Sequence, residues 1–337
     1  MRVTIERRTL RFRRPLRTSY GDLVEREIFE LALEGADGVV GRGEAAPLEP
    51  YDGVSTERAR AALEAYRPVL AAGDALQGGE LLDACRAADD LPQALAAVDM
   101  ALWDRAGRRA GRPVAELLTE PVLDAVPVNA TIGAEDRAGA AAGAAAARQA
   151  GFRCVKLKVG IGDDAGRVAA VRAALGPHAE LRLDANGAWS VEQAVAAIDV
   201  LSSAGLELVE EPVHGLDALR AVRERVAVRI AMDESAAEPG ALASGAADAV
   251  CLKLARCGGI SGLLACASLV RASGAEPYVA STFDGPLGIA AALHAAAALR
   301  IRTACGLATL DHFADADASG LAVRDGAIGV PRGPGLL

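Results

Sequence analysis

The sequence predicts an α/β barrel preceded by a separate α+β domain, and three observations support this. From about residue 125, short apolar runs alternate with alanine-rich helical segments. Five of these runs end in a charged residue, at steps of 26, 26, 23 and 20 residues, about the length of a strand plus a helix. These five residues are Lys158, Asp184, Glu210, Asp233 and Lys253. The chain has 337 residues, which leaves room for an accessory domain.

The first part of the chain, residues 1–124, is predicted to be the α+β domain. Apolar and polar residues alternate over 3–12 and 27–33, as in half-buried strands, and a third strand is expected over 39–44 after a glycine turn. Residues 92–109 have apolar side chains three and four positions apart, which indicates a helix buried on one face.

The barrel is predicted to occupy residues 125–305. Alternating strands and helices imply parallel strands with right-handed crossovers, and eight such units close into a barrel more readily than they form an open sheet. The eight candidate strands are 126–129, 155–159, 181–184, 208–210, 230–233, 249–253, 278–281 and 301–304. The tail, residues 306–337, has no eighth helix of normal length and is predicted to return to the first domain.

Composition excludes several classes of protein. The net charge of -9 and the small number of aromatic residues argue against nucleic-acid binding. The N-terminus has no unbroken apolar segment and the chain has no run of 18 apolar residues, so we predict a cytoplasmic protein without membrane contact. The six cysteines have no metal-binding spacing and are expected to be reduced and buried. The sequence leaves self-association open.

The segment VKLKVG places two lysines, Lys156 and Lys158, on one side of a predicted strand. Inward positions of a barrel strand are mostly apolar, and two inward lysines carry a large desolvation cost. The alternative is that both point to solvent at a fraying strand end. The acidic residues on the following strands favour the inward orientation.

Three acidic residues, Asp184, Glu210 and Asp233, end successive strands in the segments LRLDANGAW, LVEEPV and IAMDES. One such residue more often caps the next helix than binds metal. Three carboxylates in one barrel mouth would repel each other unless a cation neutralised them, and oxygen ligands suit Mg²⁺. We therefore predict a magnesium site, with Asn186 and Glu211 as residues that support its ligands.

Lys253 lies on a later strand, across the mouth from Lys158. A free lysine titrates near ~10.4, whereas a general base should titrate near ~7. The ammonium of Lys156, a metal cation and partial burial would each lower the pKa. Lys158 and Lys253 are thus predicted to transfer protons, with Lys156 in a supporting role.

Weaker signals lie at two places. Ser281 and Thr282 follow the seventh strand and are candidates for binding a substrate oxyanion, although either hydroxyl could instead cap the next helix. Ser19 and Tyr20 form a polar break between two strands of the first domain, which fits either a lid over the mouth or a simple turn.

At these residues the chain resembles the enolase superfamily, and within it the muconate lactonizing enzyme subgroup. The motifs are GRGEAAPL and AVDMALWDRAGRRAGRPVAELL in the first domain, and KLK, LDANGAW, VEEP, MDES and CLKL in the barrel. The resemblance implies a modified TIM barrel, (β/α)7β, under an N-terminal α+β capping domain. It also implies one Mg²⁺ on Asp184, Glu210 and Asp233, and Lys158 and Lys253 as an acid/base pair on opposite faces of a carboxylate substrate.

Within the subgroup, GEAAPLEPYDG, STFDGPLG and ACGLATLDHF look most like the o-succinylbenzoate synthases of menaquinone biosynthesis. That resemblance implies a dehydratase in which Lys158 is the base, Lys253 stabilises an enediolate, and Ser281 and the amide of Gly306 hold a succinyl carboxylate. A dipeptide epimerase or N-succinylamino acid racemase is the alternative, but this chain lacks the epimerases' Asp-x-Asp and has Thr309, Leu310 and Asp311. A third reading is a metal-binding scaffold without catalysis.

Overall fold

The computed structural model describes residues 1–18, 21–133 and 135–337. The predicted substrate-binding residues Ser19 and Tyr20 lie outside the described residues. Within these ranges, no helix is both long and apolar enough to cross a membrane.

The N-terminal region is an antiparallel sheet covered by helices. Its strands β1 (Arg2–Thr18), β2 (Gly21–Glu34) and β3 (Val40–Ala45) pair in that order. Its helices are α1 (Glu49–Asp52), α2 (Thr56–Ala72), α3 (Gly78–Ala88), α4 (Pro92–Ala110) and α5 (Val114–Leu118). One face of β2 carries Phe29, Leu31 and Leu33, which form a buried cluster with apolar residues of α2 and α4 because strand residues two apart share a face. The first strand is longer than predicted and has a register shift between Arg11 and Leu16.

The second region is a parallel sheet whose spatial order follows the chain. Its strands are β5 (Asn129–Ile132), β6 (Cys154–Lys158), β7 (Glu180–Asp184), β8 (Leu208–Glu210), β9 (Arg229–Met232), β10 (Ala249–Leu252) and β11 (Glu276–Val279). Its helices are α6 (Arg137–Gln149), α7 (Asp164–Leu175), α8 (Val191–Leu201), α9 (Leu216–Arg223), α10 (Leu254–Cys257), α11 (Ile260–Ala272) and α12 (Pro286–Ala298). Short 3₁₀ helices lie at Ser202–Ala204, Glu234–Ala237, Ala241–Ala243 and Leu310–His312. The alanine-rich segment 138–147 lies within α6 and is one of the helical segments predicted between the barrel strands.

Two residues close this sheet into a barrel. Cys305 forms a parallel bridge with Val128, and Gly306 forms one with Ala280, so the chain at 305–306 lies between β11 and β5. A Cβ on Gly306 would lie 2.8 Å from the Cβ of Ala280, which explains why glycine occupies this position. The predicted eighth strand, 301–304, is therefore displaced toward the C-terminus. The architecture confirms the predicted fold class, a modified TIM barrel with an N-terminal α+β domain.

The first barrel strand also differs from its prediction, 126–129. Residues Ala125–Pro127 form β4, which pairs antiparallel with β13 (Ala327–Gly329), and β13 pairs with β12 (Val323–Arg324). The barrel strand β5 starts only at Asn129. Other parts of the tail contact the first region: the amide of Ala314 donates to the carbonyl of Arg11 (2.8 Å), and that of Leu336 donates to Asp104 Oδ1 (2.8 Å).

The six cysteine thiols are all free. Four are buried, as predicted, whereas Cys257 and Cys266 are only partly buried. Both lie on α10 and α11, at the surface of the barrel, rather than on a strand.

Candidate active site

The barrel brings the five predicted charged residues to one end. Lys158, Asp184 and Glu210 are the last residues of β6, β7 and β8, while Asp233 and Lys253 directly follow β9 and β10. The strands are parallel, so their C-terminal ends share one mouth. The ladders pair Lys158 with Asp184 and Asp184 with Glu210. The chain contains three lysines, all in this site, and its other 33 basic residues are arginines.

One wall of the mouth is built on β6 and β7. The Nζ of Lys156 lies 2.9 Å from Asp184 Oδ2 and 2.8 Å from Glu210 Oε1. The Nζ of Lys158 lies 2.7 Å from the same Oδ2 and donates to Asn186 Oδ1 at 2.6 Å. Asp184 and Glu210 are fully buried, whereas the Lys158 side chain is 32% exposed. Both lysines face inward, and Lys158 can be reached from the mouth.

The opposite wall is built on β9 and β10. The Nζ of Lys253 lies 2.8 Å from Asp233 Oδ1 and 3.3 Å from Cys251 Sγ, and its side chain is only 7% exposed. Because β6 and β10 are separated by three strands in an eight-stranded ring, the two lysines face each other across the mouth. The thiol of Cys251 stays protonated, since burial and Asp233 raise its pKa well above the ordinary value.

Asn186 and Glu234 connect the two walls. Asn186 Nδ2 donates to Glu234 Oε1 at 2.8 Å, and the other Glu234 oxygen is buried with no hydrogen-bond partner within the described ranges. Burial, Asp233 and Asp184 together raise the pKa of Glu234 to about 7. The backbone of Asn186 is left-handed, with φ 45°, a conformation that is costly for a side-chain-bearing residue and is often found at functional sites.

Glu211 holds the backbone that carries Asp233. Its carboxylate accepts hydrogen bonds from the amide of Asp233 (2.8 Å), from the amide of Ser235 (3.0 Å) and from the Ser235 hydroxyl. It also contacts His214 Nδ1 at 3.0 Å. Glu211 is fully buried and left-handed, with φ 40°. The structure therefore places both Asn186 and Glu211 beside the predicted ligands.

The donor set fits a hard divalent cation. Three potential ligand atoms lie within 4.8 Å of one another: one oxygen each of Glu210 and Asp233, and the Sγ of Cys251. Asp184 lies beside them, because the ammonium of Lys156 contacts both Asp184 and Glu210. Glu234, one oxygen of which has no hydrogen-bond partner among the described residues, adds a further carboxyl group to the site. Carboxylates suit Mg²⁺, whereas a protonated thiol does not. Asp184, Glu210 and Asp233 are the residues that would hold such an ion.

The pKa values of Lys156 and Lys253 respond to two opposing effects: burial lowers them, as predicted, and the neighbouring carboxylates raise them. Burial lowers the pKa of Lys253, but the carboxylate of Asp233 outweighs it, and the pKa lies well above the ordinary value. Burial acts in the same way on Lys156, where Asp184 and Glu210 outweigh it. The pKa of Asp184 shows the opposite balance. Burial alone would raise this pKa, but the two lysines of β6 lower it below the ordinary value.

The predicted substrate-binding residues do not all face the mouth. Ser281 Oγ lies 2.9 Å from Thr309 Oγ1, so two hydroxyls meet beyond the ends of β11 and the closing segment. The hydroxyl of Thr282 donates to buried Asp284 (2.9 Å), in the interface with the first region, because the chain turns at Phe283, with φ 59°. The amide of Gly306 donates to the carbonyl of Val279 (2.8 Å) and is not available to a substrate. We therefore do not propose Thr282 or the Gly306 amide as substrate-binding groups.

Sequence reasoning missed several residues of the site. Cys251 and Tyr278 point into it, and Tyr278 Oη donates to Glu210 Oε2 at 2.8 Å. Cys251 could have been found, because it lies two residues before Lys253 on the same face of the strand. Tyr51 comes from the first region, and its Oη donates to Asp233 Oδ1 at 2.9 Å. No local signal marks a contact between residues 182 positions apart.

The fold and the site together are those of an enzyme whose carboxylates and lysines meet at the mouth of a barrel. Residues 139–336 match the family described as enolase C-terminal domain-like, and residues 1–119 match the mandelate racemase / muconate lactonizing enzyme N-terminal domain. The chain belongs to the enolase superfamily, in its muconate lactonizing enzyme subgroup.

Relatives of two activities resemble the chain. The L-Ala-D/L-Glu epimerase of Bacillus subtilis is 31% identical over 100% of this chain and 95% of its own length. The o-succinylbenzoate synthase of Thermobifida fusca is 42% identical, over 56% of this chain and 61% of its own length. A dipeptide epimerase from Enterococcus faecalis, solved with Mg and L-Leu-L-Tyr, superimposes with a TM-score of 0.93 at 27% identity, covering 99% and 98% of the two chains.

Proposed function

We propose that the chain is a Mg²⁺-dependent o-succinylbenzoate synthase, which dehydrates a succinyl hydroxycyclohexadiene carboxylate to an aromatic product in menaquinone biosynthesis. Residues 1–124 form the cap and residues 125–305 the catalytic barrel in this proposal, with the tail 306–337 returning to the cap. The matches to o-succinylbenzoate synthases support it, at 42% and 43% identity over more than half of the chain.

The observation that carries this proposal is the hydroxyl pair of Ser281 and Thr309, 2.9 Å apart at the end of the barrel. A hydroxyl can donate a hydrogen bond to a carboxylate, such as the succinyl group of the substrate. An ammonium would instead need acidic partners, and here the one acidic residue of the Thr309–Asp311 stretch is exposed, with its carbonyl bound by Arg13 Nε (3.0 Å). The environment favours an anionic group over a cationic one.

The two lysines have different roles in this reaction. Lys158, the more accessible, takes the proton from the carbon next to the substrate carboxylate. Lys253 is buried against Asp233, remains an ammonium and stabilises the negative charge that develops on that carboxylate. The C–H bond breaks, a C=C bond forms and the C–O bond to the neighbouring hydroxyl breaks, so that the proton held by Lys158 leaves with the hydroxyl as water.

A bound Mg²⁺ would supply positive charge that attracts the substrate carboxylate and weakens the hold of the site's carboxylates on the lysines. Asp184, Glu210 and Asp233 would provide its protein ligands.

The test is to incubate the purified protein with the succinyl hydroxycyclohexadiene carboxylate and Mg²⁺. Loss of the diene absorbance and appearance of the aromatic product are expected. Ser281→Ala should raise KM more than it lowers kcat, because Ser281 is remote from the reacting carbon, whereas Ser268→Ala, on the exposed face of α11, is a matched control. Absence of turnover by the folded, Mg²⁺-loaded protein would refute the proposal.

Epimerisation of a dipeptide or racemisation of an N-succinylamino acid is the second candidate. The full-length similarity to the B. subtilis epimerase and the TM-score of 0.93 with the E. faecalis enzyme favour it. Reprotonation by the lysine on the opposite wall would then replace loss of hydroxide. In D₂O, deuterium should enter the α-carbon of a matching substrate, and no exchange across a dipeptide and N-succinylamino acid library would exclude this activity.

A further inference from the structure

A tyrosine of the first region reaches into the barrel mouth. Tyr51 lies on α1, a single helical turn that ends at Gly53 in the left-handed conformation, with φ 71°. Its Oη contacts Asp233 Oδ1 at 2.9 Å, and its ring centroid lies 5.4 Å from the Nζ of Lys253. One side chain of the cap thus touches a predicted metal ligand and a predicted proton-transfer lysine.

Arg256 fixes the direction of the tyrosine hydrogen bond. Its Nη1 donates to Tyr51 Oη at 3.0 Å, and its Cζ lies 5.2 Å from the centre of the same ring. A guanidinium can only donate, so the hydroxyl accepts from Arg256 and gives its single proton to Asp233. Among the described residues, Arg256 has no carboxylate within ion-pair distance.

These contacts restrict the orientation of Asp233. Its amide is held by Glu211, its carboxylate contacts Lys253, and the Tyr51 hydroxyl adds a third constraint from another domain. Groups that hydrogen-bond to ligating side chains orient them, and their removal commonly weakens metal affinity by about 10- to 100-fold.

We propose that Tyr51 is a positioning residue for the metal site: its hydroxyl, oriented by Arg256, holds Asp233 in the ligating conformation. Docking of the cap therefore completes the metal site as well as covering it. This inference rests on the proposed function only in taking Asp233 as a ligand of Mg²⁺, and it holds for dehydratase and epimerase alike.

The test is the binding of Mn²⁺, a spectroscopic probe for Mg²⁺, to the full-length protein without substrate. Tyr51→Phe keeps the ring and removes the hydroxyl, and we expect the Kd for Mn²⁺ to rise about ten-fold. Tyr66→Phe is the matched control, because Tyr66 Oη donates to the carbonyl of Asp89 within the same domain, away from the mouth. Its Kd should equal that of the wild type even if its melting temperature falls.

Two further variants make the result decisive. Arg256→Gln removes the donor to the hydroxyl and should raise the Kd about three-fold, as an indirect effect smaller than that of Tyr51→Phe. Asp233→Asn should abolish binding. Wild-type affinity in Tyr51→Phe together with lost binding in Asp233→Asn would overturn the proposal, and so would retained binding in Asp233→Asn. Because no substrate is used, failure of the dehydratase assay leaves this test intact.

Discussion

The two ends of the barrel handle buried charge in different ways. At the N-terminal end, Arg182 is fully buried and contacts both oxygens of Glu207 at 2.5 and 2.9 Å, while its Nη1 donates to the carbonyl of Ala304 at 2.6 Å. Nearby, Arg229 pairs with Glu276 at 2.7 Å. At the C-terminal end, Lys156 and Lys158 share Asp184, Lys253 pairs with Asp233, and an oxygen of Glu234 has no partner in the described part of the chain.

The comparison indicates that the buried arginine pairs at the N-terminal end stabilise the fold, whereas the lysines at the C-terminal end belong to the candidate site. Arginine keeps its proton and binds carboxylates in a fixed, forked geometry, whereas lysine is a compact charge whose pKa responds to its surroundings. The chain uses lysine only at the mouth. In barrel enzymes the C-terminal end carries the chemistry and the opposite end contributes to stability.

The largest effect should come from Lys158. Lys158→Ala should lower kcat/KM by about 10²- to 10⁴-fold, since the base is lost, and change the free energy of unfolding little, because Lys156 still pairs with Asp184. Lys158→Arg keeps the charge but cannot act as a base at neutral pH, so it should be equally inactive. Steady-state kinetics measure this effect, and substantial activity in either variant would contradict the role of Lys158 as the base.

The opposite end should respond in the reverse manner. Arg182→Met leaves Glu207 and the carbonyl of Ala304 without their main donor, so we expect the free energy of unfolding to fall by about 3 to 5 kcal/mol. Activity per folded molecule should stay within about two-fold, because Arg182 approaches the mouth only through the ring of Tyr278, and among the described residues it contacts none of the predicted metal ligands or proton-transfer lysines. Denaturant unfolding monitored by circular dichroism measures the first quantity, and Arg229→Met, at a more exposed ion pair, should cost about 1 kcal/mol or less.

Acid should weaken the fold through a histidine outside the mouth. His294 is fully buried on α12, accepts from the amide of Ala115 (3.1 Å) and contacts the carbonyl of Leu336 (3.0 Å), so its neutral form fits. Burial lowers its pKa to about 4. Between the unfolded value near ~6.5 and about 4, only the unfolded chain binds the proton, so stability falls as the pH falls.

The expected loss is about 3 kcal/mol between pH 7 and pH 4. It should be absent in His294→Gln, which cannot titrate, although this variant starts from a lower stability at pH 7. The measurement is the pH dependence of the unfolding free energy of both proteins. An identical acid dependence would show that His294 is not the group responsible.

Metal bound at the mouth should stabilise the fold slightly less than the neutral His294 does. Mg²⁺ at about 100 times its Kd should raise the free energy of unfolding by about 2.7 kcal/mol, because it binds the folded chain alone. Asp184→Asn should remove this increase. Arg182→Met should show the same increase, although its free energy of unfolding without Mg²⁺ is lower than that of the wild type. The melting temperature with and without Mg²⁺ gives the comparison, and a metal-induced increase that survives in Asp184→Asn would place the ion elsewhere.

Strand ends were predictable because their signal is local. Side chains two apart on a strand share a face, and parallel strands end at one edge, so Lys156, Lys158 and Asp184 could be grouped without coordinates. The rule does not give the orientation of Ser281 and Thr282, which lie two and three residues beyond the end of β11. The hydroxyl of Ser281 meets that of Thr309, whereas the hydroxyl of Thr282 donates to Asp284 in the domain interface, where the backbone turns at Phe283.

Contacts between distant segments could not be read from the sequence. The first barrel strand starts later than predicted because residues 125–127 pair with β13, about 200 residues away, and the chain enters the barrel only at Asn129. The pairing depends on tertiary docking of the tail, which periodicity does not encode. Tyr51 was missed for the same reason.

Confining lysine to the mouth has a practical result for anyone handling the protein. An amine-reactive dye, crosslinker or coupling surface can react only with the chain's α-amino group and with the three lysines of the candidate site. Lys158, at 32% exposure, should be acylated before Lys253, at 7%. Random labelling of amines is therefore expected to inactivate the protein. Attachment through a cysteine such as Cys266 would leave the lysines unmodified.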